Sequence, residues 1–177
     1  MPIAERSKDN TMMMRVKAVI ITSRLGASDS TVSSAVSWMM REVALHLRSR
    51  EAPGSLVNIA SVAGLRGTPL QGVYAATKAA VISLTKTLSF ELGGNAIRVN
   101  AIAPGFVDTR LAAAIMQSEE LVGRINDRTG LHRHAQPHEM AGAAIFLASD
   151  ASRYVTGHEL LVDGGLTING SVGHGRT

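Results

Sequence analysis

Tyr74 and Lys78 are the residues whose types and spacing point most directly to chemistry in this sequence. A tyrosine and a lysine four positions apart share one face of a helix, where the positive charge of the lysine favours tyrosinate. Such a phenol can serve as general acid or base when an alcohol and a carbonyl are interconverted. Ser61 follows a strand-like run and precedes a turn, so its hydroxyl can hydrogen-bond the same substrate oxygen. By itself the Tyr-x-x-x-Lys spacing is a weak signal, because a solvated pair on a helix surface has the same pattern.

The segments that must position these residues alternate between strand and helix. The β-branched run at 16–22 predicts a strand, and residues 30–50 place apolar side chains at helical spacing. A second β-rich run covers 55–61. The alternation continues over 74–92, 96–105, 109–116, 119–127, 137–149 and 158–165. Strands and helices in this order predict parallel βαβ units with right-handed crossovers, and therefore an α/β fold.

The sequence around these residues resembles the short-chain dehydrogenase/reductase family. Ser61, Tyr74 and Lys78 have the catalytic spacing of that family, which is Ser, twelve residues, Tyr, three residues, Lys. The stretches GSLVNIASVAG, YAATKAAVISLTKTLSFEL and IRVNAIAPGFVDT are similar to family sequences. The run HEMAGAAIFLASDASRYVTGHELLVDGG is similar to the C-terminal helix and last strand of the family. The resemblance extends over about 32–166.

The resemblance implies a role for each candidate residue. Tyr74 would exchange the proton with the substrate oxygen and would also contact the cofactor, and Ser61 would position that oxygen. Lys78 would activate Tyr74 and hydrogen-bond the nicotinamide ribose of NAD or NADP. The substrate would be a small alcohol or carbonyl compound, covered by a variable lid at 109–130. The loop expected to border the nicotinamide and its amide contains Pro104, Gly105, Val107 and Thr109.

The N-terminal part departs from the family pattern. It lacks the TGxxxGxG turn that holds the pyrophosphate of the dinucleotide at a helix N-terminus, and only 60 residues precede Ser61. We therefore expect a partial Rossmann-like, doubly wound parallel sheet of three to four strands, truncated on its N-terminal side. The expected parts are an atypical segment at 1–30, the catalytic half at 31–168 and a flexible tail at 169–177. Ser33 stands where the family has a catalytic asparagine.

Two functional hypotheses follow. The first is an NAD(P)-dependent oxidoreductase that acts on CH–OH groups. The second is a truncated, catalytically inactive family member that serves at most as an oligomerisation partner. A homo-oligomer, dimer or tetramer, is expected in both cases. The apolar positions assigned to the subunit contact are Val36, Met39, Met40, Val43 and Leu47.

Composition and patterning disfavour several other classes of protein. Hydrophobic residues make up 45% of the chain and charged residues 18%, which suits a single folded domain. Basic residues are scattered and aromatic residues are only 3%, so nucleic-acid binding is not expected. No run is long enough to span a membrane, and the absence of cysteine fits a reducing, cytoplasmic environment. His132, His134, His138 and Glu139 match no common ligand spacing, so no metal site is expected.

Overall fold

Alternating strands and helices form a parallel sheet with helices packed on both of its faces. The computed structural model describes residues 18–21 and 29–168, with side chains from Val36 onwards. Predictions for the rest of 1–30 and for the tail at 169–177 lie outside the described residues. The strands are β1 (Ala18–Ile21), β2 (Gly54–Ile59), β3 (Ile97–Pro104) and β4 (Glu159–Val162). The α-helices are α1 (Asp29–Ser49), α2 (Gly72–Gly93), α3 (Ala113–Met116), α4 (Glu119–Arg128) and α5 (Ala141–Ala148).

The sheet is parallel throughout, and its strand order β1-β2-β3-β4 follows the chain. Within the predicted run at 16–22, the described residues form β1, which pairs with β2 from Ala18 opposite Ser55. In the centre of the sheet Leu56 lies opposite Val99, and farther along Ala101 lies opposite Glu159. The prediction of a parallel α/β sheet of three to four strands is therefore confirmed, with four strands in the described part of the chain.

Helices cover both faces of the sheet because side chains alternate along each strand. On one face, Leu56 of β2 and Val99 of β3 are fully buried beneath α1 and α2. On the opposite face, Val57 and Ile102 pack against the fully buried Leu147 of α5. Central parallel strands that are buried on both faces read as continuous apolar runs, which is why 55–61 and 96–105 were recognisable as strands.

The expected subunit contact on α1 is corrected by the structure. Val36 and Met40 are 1% and 0% exposed, so they belong to the core beneath α1 and not to an outer surface. Val43 and Leu47 pack partly against the same core, and of the five positions only Met39 is exposed. Helical spacing identifies the apolar face of α1, and that face packs against the sheet of the same chain.

Short 3-10 turns replace parts of two predicted helices. The segment after Thr109 starts with a 3-10 turn at Arg110–Ala112, and α5 is preceded by one at Pro137–Met140. The second turn is capped by Glu139, whose carboxylate accepts a hydrogen bond of 2.8 Å from the Gln136 amide. Arg133 donates to the same carboxylate from its two terminal nitrogens, Nη1 and Nη2, at 2.8 and 2.7 Å.

The carboxyl group of Glu139 should titrate far below the usual range. The hydrogen bonds from Arg133, followed by the bond from the Gln136 amide, lower its pKa from 4.5 to about 2. Since the folded pKa is depressed, this interaction stabilises the fold fully above about pH 4.5 and is lost as the pH falls through 2. An NMR titration of the carboxyl carbon should show this value, and Arg133→Gln should return it towards 4.5. An unchanged titration in Arg133→Gln would contradict the assignment.

Two further properties concern the described residues alone. None of their helices combines the length and the apolar character needed to cross a membrane. They contain no group of three or more His, Asp or Glu side chains close enough to share a metal ion.

Candidate functional site

The carboxyl ends of β2, β3 and β4 meet at one edge of the sheet, as parallel strands require. A pocket of about 920 Å³ opens at this edge. Its volume is within the range of small-molecule sites. Every candidate residue named from the sequence lines this pocket: Ser61, Tyr74, Lys78, Pro104, Gly105, Val107 and Thr109.

Ser61 lies directly beyond the end of β2 and is 9% exposed. Its backbone is extended, with φ −168° and ψ 155°, and its Oγ accepts a 3.2 Å hydrogen bond from the Ala63 amide. The residue thereby caps the 3-10 turn Val62–Gly64. A serine hydroxyl is both acceptor and donor, so this capping bond leaves the hydroxyl hydrogen for a ligand in the pocket.

Lys78 is anchored to the same strand end. Its side chain is buried, and Nζ donates a 3.0 Å hydrogen bond to the carbonyl oxygen of Ile59. Nζ also lies 5.7 Å from the centre of the Tyr74 ring. Burial lowers the pKa of Lys78 because removal from water disfavours the ammonium form. The helix face predicted from the i, i+4 spacing therefore holds the two side chains together at the pocket.

Gly64 permits the close approach of the Ser61 turn to α2. A Cβ atom at this position would lie 2.6 Å from the carbonyl carbon of Lys78 and 2.8 Å from the amide nitrogen of Ala79. Both are backbone atoms, which cannot rotate away. The absence of a side chain at Gly64 therefore lets the Ser61 turn pack directly on the backbone of α2 at Lys78.

The loop after β3 is braced from two sides. Gly105 donates a 3.1 Å backbone hydrogen bond to Val162 of β4, and a Cβ on Gly105 would lie 2.8 Å from the Cα of Asp163. Val107 pairs with Ala135 in an isolated parallel bridge. These contacts hold 104–109 at the wall of the pocket.

Sequence reasoning missed two arginines at the same pocket, Arg66 and Arg128. One is in the glycine-bearing segment before α2, and the other ends α4. Neither belongs to a motif, and only the tertiary fold brings them together. The side chain of Ser33, which stands at the position of the family's asparagine, lies outside the described residues.

Comparison with known proteins gives consistent matches. The family model described as enoyl-(acyl carrier protein) reductase matches residues 14–167. A 3-oxoacyl-(acyl-carrier-protein) reductase of Chlamydia trachomatis is 42% identical over 150 residues, which cover 83% of this chain and 55% of the relative. A short-chain type dehydrogenase/reductase of Sinorhizobium fredii is 36% identical over 181 residues, covering 94% of this chain and 33% of the relative.

The fold is also shared with solved structures. A gluconate 5-dehydrogenase from Burkholderia cenocepacia, in complex with NADP and tartrate, superposes with a TM-score of 0.78 at 34% identity. The superposition covers 86% of this chain and 65% of the dehydrogenase. This chain spans about half the length of the curated relatives that it matches.

Proposed function

Since the chain belongs to the short-chain dehydrogenase/reductase family of oxidoreductases, we propose that its pocket interconverts a small alcohol and its carbonyl by NAD(P)-dependent hydride transfer. The observation that carries the proposal is the convergence of Ser61, Tyr74 and Lys78 on one pocket at the carboxyl edge of a parallel sheet. Solved relatives crystallised with NADH or NADP support the choice of cofactor class.

The proton chemistry is assigned to Tyr74. Its phenol gives a proton to the carbonyl oxygen during reduction and takes it back during oxidation. The Lys78 ammonium, 5.7 Å from the ring centre, stabilises the negative charge that develops on the phenol. The hydroxyl hydrogen of Ser61 orients the substrate oxygen towards Tyr74. Burial lowers the pKa of Lys78, and the hydrogen bond to the Ile59 carbonyl favours its ammonium form.

The donor set fits the nicotinamide ring and its ribose. The Lys78 ammonium group lines the pocket, and a hydrogen-bond donor of this kind suits ribose hydroxyl groups. The half-buried segment 104–107, which lines the pocket, and the hydroxyl of Thr109 suit a carboxamide. When bound, the nicotinamide ring supplies or accepts the hydride. The residues of this chain would fix the orientation of that ring beside Ser61.

Binding of cofactor tests the proposal directly. We expect NADH or NADPH to bind the purified 177-residue chain with a dissociation constant that calorimetry can resolve. Lys78→Met keeps most of the volume but removes the ammonium, and should weaken cofactor binding by about tenfold or more, because charge-assisted hydrogen bonds are lost. Lys86→Met is the matched control, since Lys86 lies on the same helix, away from the pocket, paired with Glu159 at 3.1 Å. It should leave binding unchanged.

A second candidate function is self-association without catalysis. It is favoured by large apolar side chains exposed on α1 and α2, with Trp38 at 62% and Phe90 at 90%. Failure of both cofactors to bind at millimolar concentration would contradict the first proposal and favour this one. Sedimentation equilibrium of the chain and of Phe90→Glu would then show whether these helices hold two copies together.

A further inference from the structure

The wall of the pocket has a strong bias in charge. Two guanidinium groups, Arg66 and Arg128, line it in addition to the buried Lys78. Among the described residues that line the pocket, none is aspartate or glutamate. A concave, largely apolar site with charges of one sign concentrates ligands of the opposite sign.

Arg66 and the segment that follows Arg128 both contact one short loop, which follows β4. The Arg66 guanidinium donates a 2.9 Å hydrogen bond to the carbonyl oxygen of Leu166, and Leu166 itself lines the pocket. On the other side, the segment next to Arg128 packs on the same loop. Leu131 donates a 3.0 Å backbone hydrogen bond to Gly164, and a Cβ on Gly164 would lie 2.9 Å from the Thr129 side chain.

The carboxylate of Asp163, which lies in this loop, accepts hydrogen bonds from the loop itself. Asp163 accepts hydrogen bonds from the Gly165 amide at 3.0 Å and from the amide and hydroxyl of Thr167 at 2.8 and 2.6 Å. Burial alone would raise the pKa of Asp163, but these bonds outweigh it and hold the pKa below its usual value. Its oxygens are thus directed into the loop, and Asp163 is not among the residues that line the pocket.

We propose that Arg66 and Arg128 recognise a carboxylate group on the substrate, which makes the preferred substrate a small hydroxy or oxo acid. The proposal rests on the oxidoreductase function given above, since it concerns the same pocket. A planar guanidinium can hold both oxygens of a carboxylate, which fixes the rest of a small molecule in one orientation. Arg66 and Arg128 are specificity-determining residues in this scheme, and the reacting carbon remains beside Ser61 and Tyr74.

The test uses L-tartrate and its uncharged counterpart threitol, which has hydroxymethyl groups in place of the carboxylates. Calorimetry on the full chain should show binding of tartrate and at least tenfold weaker binding of threitol. Arg66→Gln and Arg128→Gln should each weaken tartrate by about ten- to a hundredfold, as expected for the loss of a hydrogen-bonded charge. Arg153→Gln is the control, since Arg153 is exposed and is not among the residues that line the pocket, and it should have no effect.

Salt dependence separates recognition from a merely structural role of Arg66. Tartrate affinity should fall as ionic strength rises, and this dependence should be shallower in Arg66→Gln. Arg66→Lys keeps the charge and should recover part of the affinity. Equal binding of tartrate and threitol, or unchanged tartrate binding in both glutamine variants, would overturn the proposal.

Two further measurements distinguish a carboxylate ligand from a phosphate ligand, and failure of this inference from failure of the oxidoreductase proposal. Inorganic phosphate that binds as tightly as tartrate and competes with it would assign the arginines to a phosphate group, and so would overturn the carboxylate assignment. A chain that binds NADH or NADPH but not tartrate refutes this inference and leaves the oxidoreductase proposal standing. A chain that binds tartrate through Arg66 but binds neither cofactor supports the anion site and refutes the oxidoreductase proposal.

Discussion

Tyr74→Phe should lower kcat for NADPH-dependent carbonyl reduction by about 10²–10⁴-fold, the range that general acid–base catalysis contributes. Phenylalanine keeps the ring next to Lys78 and removes only the group that carries the proton. Cofactor affinity should therefore stay within about threefold of the original value. Steady-state kinetics and calorimetry on the same preparation measure the two quantities separately.

The sequence offers a matched control for this substitution. Tyr154 is the only other tyrosine of the chain and is fully exposed, outside the pocket. Tyr154→Phe removes the same atom and should leave kcat unchanged. If Tyr74→Phe retained nearly full activity while Tyr154→Phe behaved as expected, another group would have to supply the proton and the assigned role of Tyr74 would be wrong.

Gly64→Ala should impair both stability and catalysis. The added methyl group would lie 2.6 Å from the backbone carbonyl carbon of Lys78, so the Ser61 turn and α2 must move apart. Overpacking of this kind costs about 1–3 kcal/mol in the free energy of unfolding. A displacement of about 1 Å between Ser61 and Lys78 can lower kcat/KM by about a hundredfold. Urea unfolding and kinetics should show the two losses together.

Gly72→Ala is the control for Gly64→Ala. Gly72 begins α2, and a Cβ there would meet no atom within 4 Å. Alanine should leave activity intact and increase the free energy of unfolding by up to about 1 kcal/mol, because glycine is the poorer helix former. Equal stability of the two variants would show that the Gly64 contact does not set the spacing of the site.

The strands and helices were predictable because their local signals agree with their burial. The apolar run at Leu56 and Val57 forms a strand covered on both faces, and the Gly93-Gly94 pair ends α2 where expected. Which surface covers the apolar face of a helix was not predictable from the sequence. Val36 and Met40 have the spacing of a contact face, but the spacing does not distinguish the sheet of the same chain from a second subunit.

The catalytic candidates were recognised by fixed spacing, but their roles stay predictions. The charge around them depends on pairings between distant parts of the chain. Arg66 reaches Leu166 across 100 positions, and no local pattern records that contact. In the sequence, Arg128 looks like the basic residue that is often found in the last turn of a helix. Residues that determine the specificity of a pocket are therefore harder to predict than residues that react within it.

The order of strands in the sheet has a consequence for the order of assembly. Each of the four described strands pairs only with described strands next to it in sequence order, so β2, α2 and β3 can form their shared core before β4 is present. The pocket draws its wall from Ile59 through to Leu166, beyond β4. It is complete only after the last strand has docked, and a ligand that fills it stabilises the last step of folding by mass action. Protection of β4 amides from hydrogen exchange should therefore increase when a ligand binds, and this increase reports the docking of β4.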